Sequence, residues 1–254
     1  MPDTALYFWI APLLVAPFVG SFLGVLLRRL PRGHGVWRGV VFGRSACDHC
    51  GRTLSPAELV PLASFLALGG RCRGCGARID PSLPAIEIAA FGVALWAVLA
   101  LPDAATIWAG CALGWTLLVL GWIDCRHLLL PDVLTLPLAL GGLAVTWGLE
   151  PEALTDHAAA AVLGYAAFRM LGAAYRRLRG REGLGQGDAK LVCAAGAWIG
   201  LAGLPWAIFL AGVLGLLMVG IMRLADGPVG AATRLPFGAP LALAIWLVWL
   251  YVPG

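Results

Sequence analysis

Charge is scarce in this 254-residue chain: 13% of its residues are Asp, Glu, Lys or Arg, against about 25% in an ordinary soluble domain. Together with a mean hydropathy of +0.86, that excludes a soluble globular fold. Also lacking is the alternation of apolar and polar residues over roughly ten-residue segments that a membrane barrel needs. No HExxH occurs, so the two-histidine zinc-protease arrangement is missing. No GxSxG occurs either, and Ser21, Ser45, Ser55, Ser64 and Ser82 have no histidine and acid framework around them. The first apolar segment has no basic region before it and runs on into a full span, so no separate leader is expected.

What is present is apolar sequence, 60% of the chain. Crossing hydrocarbon as a helix takes about 20 residues, and the pattern predicts an all-α polytopic membrane protein of about eight transmembrane helices. They fall near 6–27, 83–101, 105–123, 133–149, 157–175, 190–204, 205–223 and 236–252, the sixth and seventh separated only by Gly203-Leu204-Pro205. The expected organisation is a first transmembrane helix (1–27), a loop domain (28–82) and a seven-helix membrane domain (83–254).

The basic residues orient this bundle. Of the 18 Lys and Arg, Arg28, Arg29, Arg32, Arg38, Arg44, Arg52, Arg71, Arg73 and Arg78 lie in the loop after the first span. Arg126, Arg169, Arg176, Arg177, Arg179, Arg181, Lys190, Arg223 and Arg234 fall at ends on the same side, while the other side carries Asp3, Asp103, Glu150, Glu152 and Asp156. The positive-inside rule makes the basic side cytoplasmic. The net charge of +4 thus reflects orientation in a bilayer and does not point to nucleic acid. The run Tyr175-Arg176-Arg177-Leu178-Arg179 suits anionic lipid.

The loop holds Cys47-Asp48-His49-Cys50 and Cys72-Arg73-Gly74-Cys75. Two CxxC pairs at this spacing place four thiolates for a tetrahedral zinc ion, which would supply much of the folding free energy of so small a loop. The alternative is two disulfides, which a reducing cytosol disfavours. Cys111, Cys125 and Cys193 lack such spacing and are read as small buried hydrophobes.

The acids at the span ends are the remaining chemistry. In Gly183-Leu184-Gly185-Gln186-Gly187-Asp188-Ala189-Lys190, a glycine-rich turn delivers Asp188 to the mouth of an apolar segment, either as its N-cap or as a functional acid. Asp124 stands at the C-terminal end of the third span, where the helix dipole disfavours it; Asp132 follows Pro131 at a helix start, where an acid is a plausible cap. Asp124 and Asp188 emerge on one membrane side. Two carboxylates sharing a proton can activate water and hold a peptide carbonyl. Pro84 suits the first turn of the second span, and Glu87 is placed within that turn, either favoured by the dipole or facing a cationic ligand. Gly20 and Gly24 form a small-residue packing face. Pro236-Phe237-Gly238 either opens the last span or shapes a substrate backbone.

These residues together resemble the type IV prepilin peptidases, the bifunctional leader peptidase/N-methyltransferases. The likeness covers Gly20-Ser21-Phe22-Leu23 with Arg29-Leu30-Pro31, both CxxC pairs, Glu58-Leu59-Val60-Pro61-Leu62, Gly70-Arg71-Cys72, and Pro84 with Glu87. It continues through Asp124 with Leu129-Leu130-Pro131-Asp132, Gly185-Gln186-Gly187-Asp188-Ala189-Lys190-Leu191, and Leu235-Pro236-Phe237-Gly238. The resemblance implies a bacterial inner-membrane aspartic protease of the GxGD type with Asp124 and Asp188 as the catalytic pair. It also implies prepilin or pseudopilin substrates, a cytoplasmic active site, and S-adenosylmethionine as methyl donor, with Glu87 a candidate methyl-transfer residue. Gly185, Gly187 and Lys190 are read as shaping the substrate strand. Gly24 and Leu59 stand where the family usually has asparagine, and Ser82-Leu83-Pro84 replaces its Arg-Tyr-Pro. A proton-coupled transporter and a non-enzymatic assembly scaffold carrying a zinc module are the competing classes. The transporter would want acids at the midplane and inverted repeats.

Overall fold

A computed structural model describes residues 3–32, 43–180, 185–226 and 235–252. Arg38, Arg181, Gly183, Leu184 and Arg234, named above, lie outside the described residues. The helices are α1 (Asp3–Arg29), α2 (Ala63–Ala67), α3 (Ser82–Ala100), α4 (Ala104–His127), α5 (Asp132–Leu149), α6 (Leu154–Arg179), α7 (Gln186–Asp226) and α8 (Gly238–Tyr251). Among the described residues the only β pairing is two isolated bridges. The chain divides into two compact units, Met1–Trp115 and Thr116–Gly254, the boundary falling within α4.

In the first unit α1 packs along α3. Their backbones come so close that a Cβ at Gly20 would stand 2.6 Å from the Glu87 Cα, so the small-residue face is used for helix packing. The Trp115 indole N–H donates to the Ala90 carbonyl at 2.9 Å, satisfying a polar atom in the apolar interior. Asp103 caps α4, its Oδ1 accepting the Ala105 and Thr106 amides at 2.9 and 3.1 Å, a contribution of about 1 kcal/mol.

In the second unit α6 packs on α7, which also carries α5 and α8. Trp198 anchors this packing: its Nε1 donates to the Leu138 carbonyl at 2.8 Å and its ring meets Trp249 edge-on.

Among the described residues six helices are long and apolar enough to cross a membrane, and Gly238–Tyr251 is a shorter apolar one. The segments expected at 190–204 and 205–223 lie in one helix, α7, whose break falls at Gly200 and not at Gly203-Leu204-Pro205. Gly200 has φ 63° and ψ −173°, a region open essentially to glycine alone. Neighbours on α6 stabilise the break. The Asp156 Oδ2 accepts the Leu201 amide at 2.8 Å, and His157 Nδ1 lies 3.1 Å from both the Ala197 carbonyl and the Thr146 hydroxyl. A carbonyl only accepts, so this nitrogen carries the proton. Pro205 lies five residues beyond the break, inside the second segment.

Gly200→Ala therefore destabilises the fold by about 1–3 kcal/mol, through a forbidden φ and a Cβ placed against Asp156. The thermal midpoint of the detergent-solubilised protein checks this; an unchanged midpoint would contradict the account of the break.

Candidate active site and metal centre

Asp124 lies three residues before the end of α4, buried at 5% exposure. An acid is misplaced at a helix C-terminus unless positive charge compensates. The start of α8 supplies it: the Ala239 amide donates to Asp124 Oδ2 at 3.1 Å, and the Gly238 amide also faces the carboxylate. The first amides of a helix have no partner within it, so a carboxylate there is bound by free donors and by the dipole. A Cβ at Gly238 would lie 2.9 Å from the Asp124 Cγ, which makes glycine a steric requirement at this position. The Pro236-Phe237-Gly238 stretch is thus a helix start whose amides are occupied by Asp124. Sequence reading alone did not connect them, because they are far apart in the chain.

Asp188 is the third residue of α7 and not its N-cap, the helix beginning at Gln186. Its Oδ2 reaches back to the Gly185 amide at 3.2 Å, the half of a capping box made by an acid at that position. Gly185 and Gly187 do not adopt positive φ; what Gly187 provides is room. A Cβ there would stand 2.9 Å from the Leu130 Cβ. Asp124 and Asp188 are near enough to interact electrostatically.

Asp132 opens α5 without making a capping bond. Its Oδ1 pairs with Lys190 Nζ at 2.5 Å, joining the start of α5 to the first turns of α7. Arg126 and His127 are exposed, with the Arg126 guanidinium 5.8 Å above the Trp122 ring. Cys125 is exposed at the end of α4, in contrast to the buried site expected, whereas Cys111 is buried.

The four loop cysteines converge. The sulfurs of Cys47, Cys50, Cys72 and Cys75 lie within 4.8 Å of one another, with Cys47 and Cys75 3.8 Å apart. A tetrahedron of thiolates at a metal–sulfur distance of about 2.3 Å has edges of about 3.8 Å, so the donor set fits such an ion. Each pair sits on the same knuckle. The Gly51 amide donates to the Cys47 carbonyl and the Gly76 amide to the Cys72 carbonyl, both at 2.9 Å, with φ of 69° and 70° at the two glycines. The doubled Cys-x-x-Cys-Gly was a readable signal for this pairing of knuckles, and left-handed turns favour glycine there. The Cys75 and Gly74 amides hold the Cys72 thiol down to about 6, and those of Cys50 and His49 lower that of Cys47. Both thiols are thereby suited to bind as thiolates.

Glu58 braces the first knuckle. Its carboxylate accepts the Ser55 amide and hydroxyl, each at 2.9 Å, and pairs with Arg52. The Ser55 amide, followed by the Arg52 guanidinium, keeps its acid down to about 2. Arg28 ties the knuckle to the end of α1 through Asp48 at 3.1 Å.

Glu87 belongs to the second turn of α3, which starts at Ser82, so the dipole of the first turn does not account for it. Its Oε2 accepts the Leu62 amide at 2.8 Å, and Ser21 hydrogen-bonds the same carboxylate. Leu62 is one of two non-glycine residues at positive φ (57°) among the described residues. Glu87, Ser21, Gly24, Glu58, Ser64 and Phe65 are among the residues lining a cavity of about 200 Å³ in this first unit.

Residues 14–101 match the bacterial peptidase A24 N-terminal domain, and residues 111–220 match the type IV leader peptidase family. The chain is 36% identical to the prepilin leader peptidase/N-methyltransferase of Pseudomonas aeruginosa, over 97% of its own length and 91% of that protein. It is 36% identical to the protein of that name in Aeromonas hydrophila (92% and 87% covered) and 33% identical to that of Stutzerimonas stutzeri (99% and 93%). No solved structure matches. With its apolar helices, this makes the chain a multi-pass protein of the bacterial inner membrane. The two matched domains and relatives aligned almost end to end lead to one conclusion: the chain belongs to the type IV leader peptidase family.

Proposed function

We propose that the protein removes the leader peptide of type IV prepilins or pseudopilins and N-methylates the terminus so exposed, and that Asp124 and Asp188 carry out the cleavage. The observation behind this is the pair itself: two carboxylates, one from the end of α4 and one from the start of α7, close enough to influence each other. Sharing one proton, one carboxylate takes a proton from water as its oxygen attacks the scissile carbonyl, while the other hydrogen-bonds the carbonyl oxygen. The α8 amides orient Asp124, and the Gly185 amide orients Asp188. The turn holding Gly185 and Gly187 is assigned to shaping the path of the substrate strand, with Leu130 filling the space beside Gly187 and Lys190 flanking it from its anchor on Asp132. The distribution of basic residues supports a cytoplasmic location for this site and for the cysteine loop.

The cysteine centre is assigned to zinc, whose preference for four thiolates suits a closed structural site. S-adenosylmethionine, the methyl donor suggested by the relatives' N-methyltransferase name, would supply an electrophilic methyl group. The cavity beside Glu87 suits it, since a buried carboxylate and the Phe65 ring both favour a sulfonium cation.

Asp124→Asn and Asp188→Asn should each lower leader removal from a synthetic prepilin by about 10²–10⁴-fold while the protein still inserts; full cleavage by either variant would overturn the pair. Metal analysis of the purified protein should return about one zinc per chain, lost in Cys72→Ser; finding none in the parent protein would reject the assignment. Glu87→Gln should reduce methyl incorporation into a pre-cleaved peptide by about tenfold or more with leader removal retained, whereas unimpaired methylation would remove Glu87 from that site.

A further inference from the structure

The linker between α4 and α5, residues 128–131, contains no reactive group, yet its Leu130 lies against the backbone beside Asp188 and the backbone that holds Asp124. Leu130 is 7% exposed, in a stretch where Leu128 and Leu129 are exposed. Its side chain lies against two glycines. A Cβ on Gly187 would be 2.9 Å from the Leu130 Cβ and 3.2 Å from its Cδ1; a Cβ on Gly238 would be 3.0 Å from the same Cδ1. Gly187 directly precedes Asp188. Gly238 directly precedes Ala239, whose amide holds Asp124. One isobutyl group therefore separates the backbone that carries one carboxylate from the backbone that positions the other.

The linker is fixed at both ends. Leu128 closes α4 in a left-handed conformation (φ 53°), its amide bonded to the Asp124 carbonyl at 2.9 Å. Pro131 (φ −67°) leads into α5, and Asp132 is tied to α7 through Lys190. Leu130 is held between these anchors and cannot swing away without releasing one of them.

We infer that Leu130 is a positioning residue for leader cleavage: its side chain is the spacer that sets the distance between the Asp124 and Asp188 carboxylates. This rests on the acid-pair reading of the cleavage site. Interiors are close-packed and resist compression, so a spacer lodged against two glycines fixes a separation. A shared proton and a water aimed at a carbonyl tolerate little displacement, an error near 1 Å costing about 10²-fold. Being apolar, the spacer takes no part in the proton transfer; it acts only through the two acids.

The test is steady-state leader removal by the full-length protein in detergent, with thermal midpoints recorded for every variant. Leu130→Val loses the Cδ1 that reaches Gly238, and Leu130→Ala loses more. Both should lower kcat by about 10–100-fold with KM within about twofold, since substrate binding is not what the spacer governs. Leu130→Met, which retains the reach, should recover most of kcat. Asp124→Asn and Asp188→Asn run alongside. If either retains cleavage, the acid pair fails whatever Leu130 does. If both are inactive while folded Leu130→Val or Leu130→Ala keeps the parental kcat, or if their loss appears in KM alone, the spacer is overturned and the pair stands. Should Leu130→Ala fail to fold, Leu130→Val and Leu130→Met decide the matter between them.

Discussion

The contact on which the membrane site depends is the Asp124 carboxylate against the first amides of α8. Each side has a problem that the other resolves. The end of α4 presents an acid where the helix dipole repels it, and the start of α8 presents amides with no partner in its own helix. Joining them fixes where α8 begins and makes glycine obligatory at Gly238. The same economy holds at Asp188, which secures the turn before its own helix through the Gly185 amide. The Ala239 amide takes one oxygen of Asp124 and the Gly185 amide one of Asp188, so capping is compatible with the proposed catalysis.

The cysteine loop follows a different logic. It lacks a core large enough to fold by burial, and it is built from two similar knuckles, a brace and a latch. Each knuckle places two sulfurs by one left-handed glycine turn; Glu58 braces the first through Ser55 and Arg52; Glu87 latches the loop to α3 through the Leu62 amide. A metal bound there would close the four sulfurs into one unit and supply the stabilisation that apolar burial does not. The cavity proposed for the methyl donor lies between the latch and the brace, so that its walls depend on the loop's being folded.

Much of this was legible in the sequence, for identifiable reasons. The helical class and the span positions follow from apolar runs, which need no tertiary knowledge. The cysteine tetrad follows from spacing alone. Asp188 could be singled out because an acid in so apolar a chain is costly. The break in α7 was placed near Pro205, whereas it is decided at Gly200 by Asp156 and His157, on another helix. Glu87 was assigned to the wrong turn because the helix starts at Ser82, just before the expected position. The roles of Gly238 and Leu130 could not be read at all: each depends on contacts across long stretches of chain, and an apolar leucine among leucines carries no local mark.

The proposed cleavage requires two carboxyls working with one proton between them. The most direct measurement is the pH dependence of kcat/KM for leader removal by the full-length protein. It should be bell-shaped, with activity lost on one side when both carboxyls are protonated and on the other when both are ionised. A profile with a single limb would contradict a proton-sharing pair.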